Sequence, residues 1–309
     1  ADHSATWVEP VSTNYRGFDV WELPPNGQGI TVLQMLNLLE HFELRDLEPN
    51  SAAYLHLLVE AKKLAYEDRA RYYADPDFAA VPVDWLISKD YAAERVKLID
   101  PRRASRRVRP GDPELDSDTI YMTAADKDGN MISLIQSLYS AWGSALVPDG
   151  VGFAMQNRGQ SFSLDPEHPN RLEPHKRPFH TIIPAFVTER GAPLLSFGVM
   201  GGAFQPQGHT QVLVNMLDFG LSPQQAGDQP RVEHTGSSEP ATGRAEGAGT
   251  VVFERGIRDE VKLALAEMGH SISGAPLAAG GYQAIWRTED PRVYFGGSDP
   301  RKDGGAFGY

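Results

Sequence analysis

Asp118-Thr119 stands where the texture of the chain changes. Residues 101–118 (PRRASRRVRPGDPELDSD) have no apolar period and carry five arginines, three prolines and a closing acidic run. They predict an exposed linker. The linker delivers Thr119 to the start of a β-rich stretch. A threonine hydroxyl is a weak nucleophile at neutral pH and needs a base beside it. If the Asp118–Thr119 bond is cut, the new α-amine of Thr119, with a pKa of about 8, becomes that base. On the residues alone this signal is weak, because most threonines that open strands do so merely as β-formers. Gly201-Gly202 reads as a tight strand-to-helix turn.

Other chemistries find little support. His168, His175, His180 and His209 show no H-x-x-x-H or H-E-x-x-H spacing, and cysteine is absent, so no metal site is predicted. The absence of cysteine also removes disulfides and thiolate catalysis. Pro24 to Gly29 lacks the Gly-Lys-Ser/Thr ending of a phosphate loop and reads as a turn. No G-x-S-x-G is present. A net charge of −12 disfavours nucleic acid and anionic membrane as partners. No apolar run approaches the ~18 residues of a membrane helix, and the polar opening Ala1-Asp2-His3-Ser4 carries no signal-peptide pattern. The expectation is a soluble protein, its compartment open, with the cytoplasm favoured over periplasm or secretion.

The elements that must position Thr119 follow from periodicity. Residues 30–43 and 51–73 predict helices, the second capped by Asn50 or Ser51. Residues 119–125 and 131–138 predict a hairpin around the Asp128-Gly129 turn. A further strand is expected at 152–157, a second hairpin at 181–187 and 193–199, and a helix over 209–218. Residues 251–255 read as a strand before a helix at 257–268, and QAIWR and RVYFG as a final strand pair. Hairpins followed by helices predict a layered α+β domain.

The run from Thr119 to Asn157 resembles the start of the small subunit of γ-glutamyltransferases, the γ-glutamyltranspeptidase family. The matching features are Thr119, the Asp126–Asn130 turn, Trp142-Gly143-Ser144 and Gly152 to Asn157. The similarity continues through Lys176-Arg177-Pro178, Met200-Gly201-Gly202, Leu217-Asp218-Phe219-Gly220, Pro230-Arg231 and Ser298-Asp299-Pro300-Arg301. Upstream, Tyr15-Arg16-Gly17 through Gly29 resembles the late part of that family's large subunit. The resemblance implies a four-layer αββα sandwich of the N-terminal-nucleophile hydrolase type. It implies self-cleavage between Asp118 and Thr119, with residues 1–118 closing the large subunit, 119–309 forming the small catalytic one, and both in one structural domain. It assigns Thr119 as nucleophile, Ser137 as its supporting hydroxyl and Gly201-Gly202 as oxyanion donors, with no cofactor or metal. It also implies a preceding part of the large subunit, which in the family carries an arginine for the substrate carboxylate. A processed heterodimer, or a higher assembly, acting on a small-molecule amide is the expected form.

The departures lie in substrate recognition. Tyr139 falls where the family has a substrate-binding Asn. Arg158-Gly159-Gln160-Ser161 replaces a segment ending Asp-Asp, so Ser161 stands for the acid that pairs with the glutamyl ammonium. His180-Thr181 replaces a Ser-Ser pair, while Asn157 and Thr123 match. Losing a charged contact in a closed site costs a few kcal/mol. The expected donor is therefore an amide whose acyl group bears a carboxylate without an adjacent ammonium, released mainly to water. True γ-glutamyl transfer, acylase activity and a non-catalytic homologue are the alternatives. A nearby acid, Asp165 or Glu167, taking over the missing role would favour the first of them.

Overall fold

The computed structural model describes residues 4–105, 117–242, 247–277, 280–288 and 293–308. Most of the 101–118 linker therefore lies outside the described residues.

The chain opens with a hairpin, β1 (Val11–Tyr15) and β2 (Phe18–Glu22). Arg16 and Gly17, at φ 55° and 93°, make its two-residue turn, the left-handed geometry that matches strand twist. Helix α1 (Gly29–Leu39) is buried along its whole length, and α2 (Ala52–Tyr72) runs beside it, capped by the Ser51 hydroxyl, which accepts from the Tyr54 N–H. Two short helices follow, α3 (Val83–Leu86) and α4 (Lys89–Arg95). Beyond the linker come β3 (Ser117–Ala125) and β4 (Met131–Ser140), then β5 (Ala185–Glu189) and β6 (Ala192–Met200). Next are α5 (Gln205–Leu217), α6 (Pro223–Asp228), β7 (Val232–Thr235), β8 (Thr250–Phe253), α7 (Asp259–Glu267), β9 (Ile272–Pro276), β10 (Gly281–Arg287) and β11 (Tyr294–Ser298).

An antiparallel six-stranded sheet, in the order β1-β2-β5-β6-β10-β11, forms the centre. Strand β2 pairs with β5, so segments on either side of residue 118 share one sheet. They also share one core, in which Tyr15, Val20 and Ile30 meet Phe197, Val199 and Val212. Helices α1 and α5 cover one face, with α2 behind α1. The β3–β4 ribbon lies across the other face, against β6 and β10. β7, β8 and β9 form a small side sheet in which β8 and β9 are parallel around α7.

The ribbon is hydroxyl-rich on its inner face and apolar on its outer one. Tyr121 is buried against the sheet, while Ile120, Met122, Ile132 and Leu134 on the outer face stay 41–58% exposed. Tyr121 fits because β6 has Gly198 beneath it, where a Cβ would sit 2.4 Å from the ring. Among the described residues no helix is long and apolar enough to cross a membrane.

Several expectations change at the edges. The helix expected at 30–43 ends at Leu39. Residues 152–157 form no strand. Gly150 and Gly152 have φ of 80° and 71° there, and the Met155 N–H donates to Leu146 O (2.9 Å) while the Ser144 N–H donates to Met155 O (2.8 Å), folding the segment on its own loop. Residues 181–184 also lie outside the ladder, because side chains take their backbone groups: Gln28 Nε2 donates to Thr181 O (2.9 Å) and the Ile183 N–H to Gln205 Oε1 (3.3 Å). The helix expected at 209–218 begins earlier, at Gln205, with Pro206 in its first turn.

Candidate active site

Thr119 sits near the start of β3, buried on the side facing the main sheet. Its hydroxyl donates to Ser137 Oγ at 3.2 Å. The register between β3 and β4 shifts here: Thr119 pairs with Ser137 and Asp118 with Tyr139, so Leu138 is left over opposite the Asp118–Thr119 bond. Bulges of this kind re-aim side chains at sites and loosen pairing. Tyr139 takes a φ of 82°, a conformation costing on the order of 1–3 kcal/mol for a non-glycine residue. Ser137 Oγ holds it by also accepting the Tyr139 N–H at 2.8 Å. One hydroxyl thus fixes both Thr119 and the strained residue beside it.

The ribbon is tied to the sheet below. Tyr121 Oη and Ser133 Oγ are 2.7 Å apart, Thr123 Oγ1 bonds Ser196 Oγ, and Ser196 Oγ donates to Ile132 O at 2.9 Å. Thr123 therefore belongs to this layer contact.

Gly201 and Gly202 follow β6 directly and turn the chain into α5, with φ of 129° and 54°. Both values disfavour any side chain, and a Cβ on Gly201 would come within 3.2 Å of Gly280 Cα. The turn lies against β3. The end of β6 is pinned by buried His209, whose Nε2 accepts the Val199 N–H at 3.0 Å and whose Nδ1 pairs with Glu22 Oε1 at 3.0 Å. Burial holds His209 at about 3, hence neutral, and raises the Glu22 carboxyl.

The candidate recognition residues gather beyond Tyr139. Arg158 is buried at 7% exposure, and its guanidinium carbon lies 5.1 Å from the centre of the Tyr139 ring. Its Nη1 donates to Thr181 Oγ1 at 3.2 Å, whereas its enclosed Nη2 has no acceptor among the described residues. Burial lowers its pKa to about 10, so it stays charged at neutral pH. Ser161 is buried and hydrogen-bonds the Tyr139 phenol. Burial raises that phenol, opposed by Ser161 and by the charges of Arg158 and Arg69 and reinforced by Glu239. Burial and then Arg158 push His180 down to about 3. Its ring is therefore uncharged beside the charged Arg158. Asn157 bonds locally: Nδ2 donates to Ser140 Oγ at 2.9 Å and Oδ1 accepts the Ser140 N–H at 3.1 Å. Buried Asn170 ties Ser161 O (2.6 Å) to the Phe179 N–H (3.0 Å).

Asp165 and Glu167 are exposed and do not enter this group. The acid near Tyr139 is instead Glu239, paired with Arg69. Sequence reasoning missed Glu239, Arg69 and Gln28. Gln28 lay inside the turn expected at 24–29 and Arg69 inside the helix expected at 51–73, and neither segment pointed to the side chain.

Among the described residues one trio suits a metal in composition, His56, Glu60 and His270, with ligand atoms within 4.8 Å of one another. These atoms already serve one another and the protein. His56 Nδ1 is 2.8 Å from His270 Nε2, and His56 Nε2 is 2.7 Å from Asp100 O. Glu60 accepts from Lys63 Nζ at 2.7 Å and from the Ser105 N–H at 3.1 Å. An ammonium on the only carboxylate opposes a cation there, and the trio works as a buried polar network.

The model of the family described as gamma-glutamyltranspeptidase matches residues 1–309. The glutathione hydrolase-like YwrD proenzyme of Bacillus subtilis (strain 168) is 40% identical, covering 99% of this chain and 57% of its own length. The crystal structure of cephalosporin acylase from Bacillus halodurans superposes with a TM-score of 0.85 at 43% identity, over 96% of this chain and 52% of its own. A chain of γ-glutamyltranspeptidase from Pseudomonas nitroreducens matches with a TM-score of 0.53 at 27% identity, over 61% of this chain and 98% of its own. This chain spans about half the length of the first two. With these neighbours, the α+β sandwich is that of N-terminal-nucleophile hydrolases; the described residues supply a helical layer, the main sheet and the β3–β4 ribbon.

Proposed function

The chain belongs to the γ-glutamyltranspeptidase family, and from that footing we propose that its protein is a self-cleaving amidohydrolase whose acyl donor carries a free carboxylate. Maturation and turnover use one hydroxyl. In maturation Thr119 Oγ adds to the Asp118 carbonyl, the peptide C–N bond breaks, and water hydrolyses the ester. Thr119 is left with a free α-amine. In turnover that amine takes the Oγ proton while Oγ attacks the substrate amide. The N–H groups of Gly201 and Gly202 receive the oxyanion, the amine leaves with the proton, and water releases the acid. Ser137 holds the Thr119 hydroxyl in line, and Asn157 steadies the end of β4.

The single observation behind the acyl group is Arg158, a buried cation with a free Nη2 and no carboxylate partner among the described residues. An unpaired buried charge costs several kcal/mol. A substrate carboxylate would offset that through charge-assisted hydrogen bonds worth about 1.5–3 kcal/mol each. Arg69 and Glu239 neutralise each other, so Arg158 leaves the pocket net positive. Tyr139, Ser161, His180 and Thr181 line the same region and bring no negative charge. A glutaryl or similar dicarboxylic monoamide fits this setting, and water is the acceptor. The B. halodurans neighbour, a cephalosporin acylase, supports an acylase over a transpeptidase.

Glu239 favours a second reading, ordinary γ-glutamyl transfer, because a carboxylate near Tyr139 is what an ammonium wants. Comparing kcat/KM for glutaryl and γ-glutamyl anilides separates the two. The first reading expects a ratio of roughly ten to a hundred in favour of glutaryl. The second expects the reverse, with transfer to a dipeptide.

We also assign residues 119–309 to the small subunit; their share of this chain is about that matched by the P. nitroreducens chain. Residues 1–118 then close the large subunit within the same domain. The apolar outer face of the β3–β4 ribbon is suited to the part of the large subunit that this chain does not span.

A further inference from the structure

Two carbonyls of the glycine turn are gripped from the helical side of the sheet. Gln28 Nε2 donates to Gly202 O at 2.9 Å and, in the same plane of contact, to Thr181 O at 2.9 Å. Tyr66 Oη donates to the next carbonyl, Ala203 O. Behind both stands Arg69, three residues on from Tyr66 in α2. Its Nη1 donates to Gln28 Oε1 at 2.6 Å and its Nη2 pairs with Glu239, while its guanidinium carbon stacks 3.8 Å from the centre of the Tyr66 ring. Gln28, Arg69 and Tyr66 are all buried, Gln28 and Arg69 at 0% exposure.

The preceding residues extend the grip to the recognition segment. Asn26 Nδ2 donates to Pro178 O at 2.7 Å, and Asn26 O accepts the His180 N–H at 3.1 Å. A Cβ on Gly27 would lie 2.8 Å from His180 Cε1. The loop at 24–29 therefore touches two segments of opposite duty: 178–181 beside Arg158, and the Gly201–Gly202 turn.

We infer that Gln28, oriented by Arg69, is a positioning residue that sets the oxyanion turn and couples it to the acyl-recognition segment. The physical reason lies in peptide geometry. Each carbonyl and the following N–H share a rigid plane, so the Gly202 N–H is aimed by the Gly201 carbonyl, while the carbonyls of Gly202 and Ala203 aim the N–H groups of Ala203 and Phe204, the latter being the donor that holds Gly201 O. The Gly201 carbonyl is already held by the Phe204 N–H at 3.0 Å. Gln28 and Tyr66 hold the next two, and so fix Gly202 from its C-terminal side and, through the Phe204 N–H, the plane that carries the Gly202 N–H. With its amide oxygen taken by Arg69, Gln28 has only one orientation, NH2 toward the two backbone carbonyls. The inference rests on the amidohydrolase reading for its kinetic consequence and on the hydrogen bonds alone for its structural one.

The test is Gln28→Glu in protein produced from its full-length precursor. The carboxylate keeps the Arg69 contact and the volume, but turns an acceptor toward two acceptors. A misplacement of about 1 Å in an active site can cost on the order of a hundredfold. The expected result is a fall in kcat of about ten- to a hundredfold on a glutaryl anilide. Affinity for a boronic acid analogue, which forms a tetrahedral adduct at the threonine, should fall in parallel, with inhibition by free glutarate much less affected. Amide hydrogen exchange across 201–205 should rise in the same variant, a readout that needs no turnover. Tyr66→Phe should show a milder form of the same pattern. Unchanged exchange across 201–205 would overturn the inference, whether or not the enzyme turns over glutaryl amides. So would a lower melting temperature with kcat and boronate affinity intact, since that is what a merely structural residue gives. Faster exchange in a protein that hydrolyses no amide would uphold the grip and instead discard the amidohydrolase reading.

Discussion

Arg158 reaches Thr181 with one terminal nitrogen, 3.2 Å from Nη1 to Oγ1, and the other meets no acceptor among the described residues. The pair joins 158–161 and 180–181, the two segments expected from the sequence to differ from transpeptidases. On the function proposed above, the half-used guanidinium beside a fixed hydroxyl is the fork for the acyl carboxylate.

Arg158→Gln removes the charge and keeps a donor. It should lower kcat/KM for a glutaryl anilide by about ten- to a hundredfold, at about 1.4 kcal/mol per factor of ten, mostly through KM. Activity on an uncharged acyl anilide such as butyryl should change little. Steady-state kinetics on the two anilides measures this; equal losses on both would show that Arg158 supports the site rather than the acyl group.

Gly202→Val should slow turnover strongly while leaving the fold in place. At φ 54° a β-branched residue is strained, and the N–H beside it moves. Removing one oxyanion donor typically costs on the order of a hundred- to a thousandfold in kcat. Circular dichroism and kinetics together check this, and normal kinetics would take Gly202 out of the site. Gly198→Val should act differently. Its Cβ would enter the Tyr121 ring, lift the ribbon from the sheet and lower the melting temperature together with activity.

The pH profile should lack a histidine limb from the pocket. His180 is held at about 3 in the folded protein, so it does not ionise between pH 5 and 8. An acid limb of kcat/KM is then left to the α-amine of Thr119. Stability carries the opposite signature. The unfolded chain takes up a proton on His180 below its ordinary value near 6.5 and the folded one does not. Stability therefore falls as pH drops from about 6.5 toward 3, on the order of 1 kcal/mol per pH unit for this group. His180→Gln should flatten that slope in denaturant melts between pH 7 and 5. An unchanged slope would mean that the ring is charged in the native state.

Much of this was readable before the structure, and the misses have local causes. The β3–β4 hairpin was visible because Asp126 to Asn130 carries its own turn chemistry: Asp126 accepts the N–H groups of Asp128 and Asn130 at 2.9 and 3.0 Å. The β1–β2 hairpin was overlooked although Arg16-Gly17 between Tyr15 and Phe18 supplied a two-residue turn. The strand expected at 152–157 failed because Gly150 before it and Gly152 at its start both take positive φ and bend the chain. Glu239 and Arg69 were not legible at all, since their relation spans 170 residues and neither has a spacing of its own. Gln28 was hidden for another reason. A turn-rich string signals where the chain bends, and says nothing of which distant carbonyls its one amide will reach.

The central claim is that Thr119 becomes an N-terminus and then the nucleophile. N-terminal sequencing and intact mass of the purified full-length protein test it most directly, with Thr119→Ala and Thr119→Ser alongside. Wild type should yield a chain beginning at Thr119, Thr119→Ser a partial yield with reduced turnover, and Thr119→Ala a single uncut chain without turnover. A wild-type protein with no chain starting at Thr119, or an alanine variant that still cleaves and hydrolyses amides, would contradict the account.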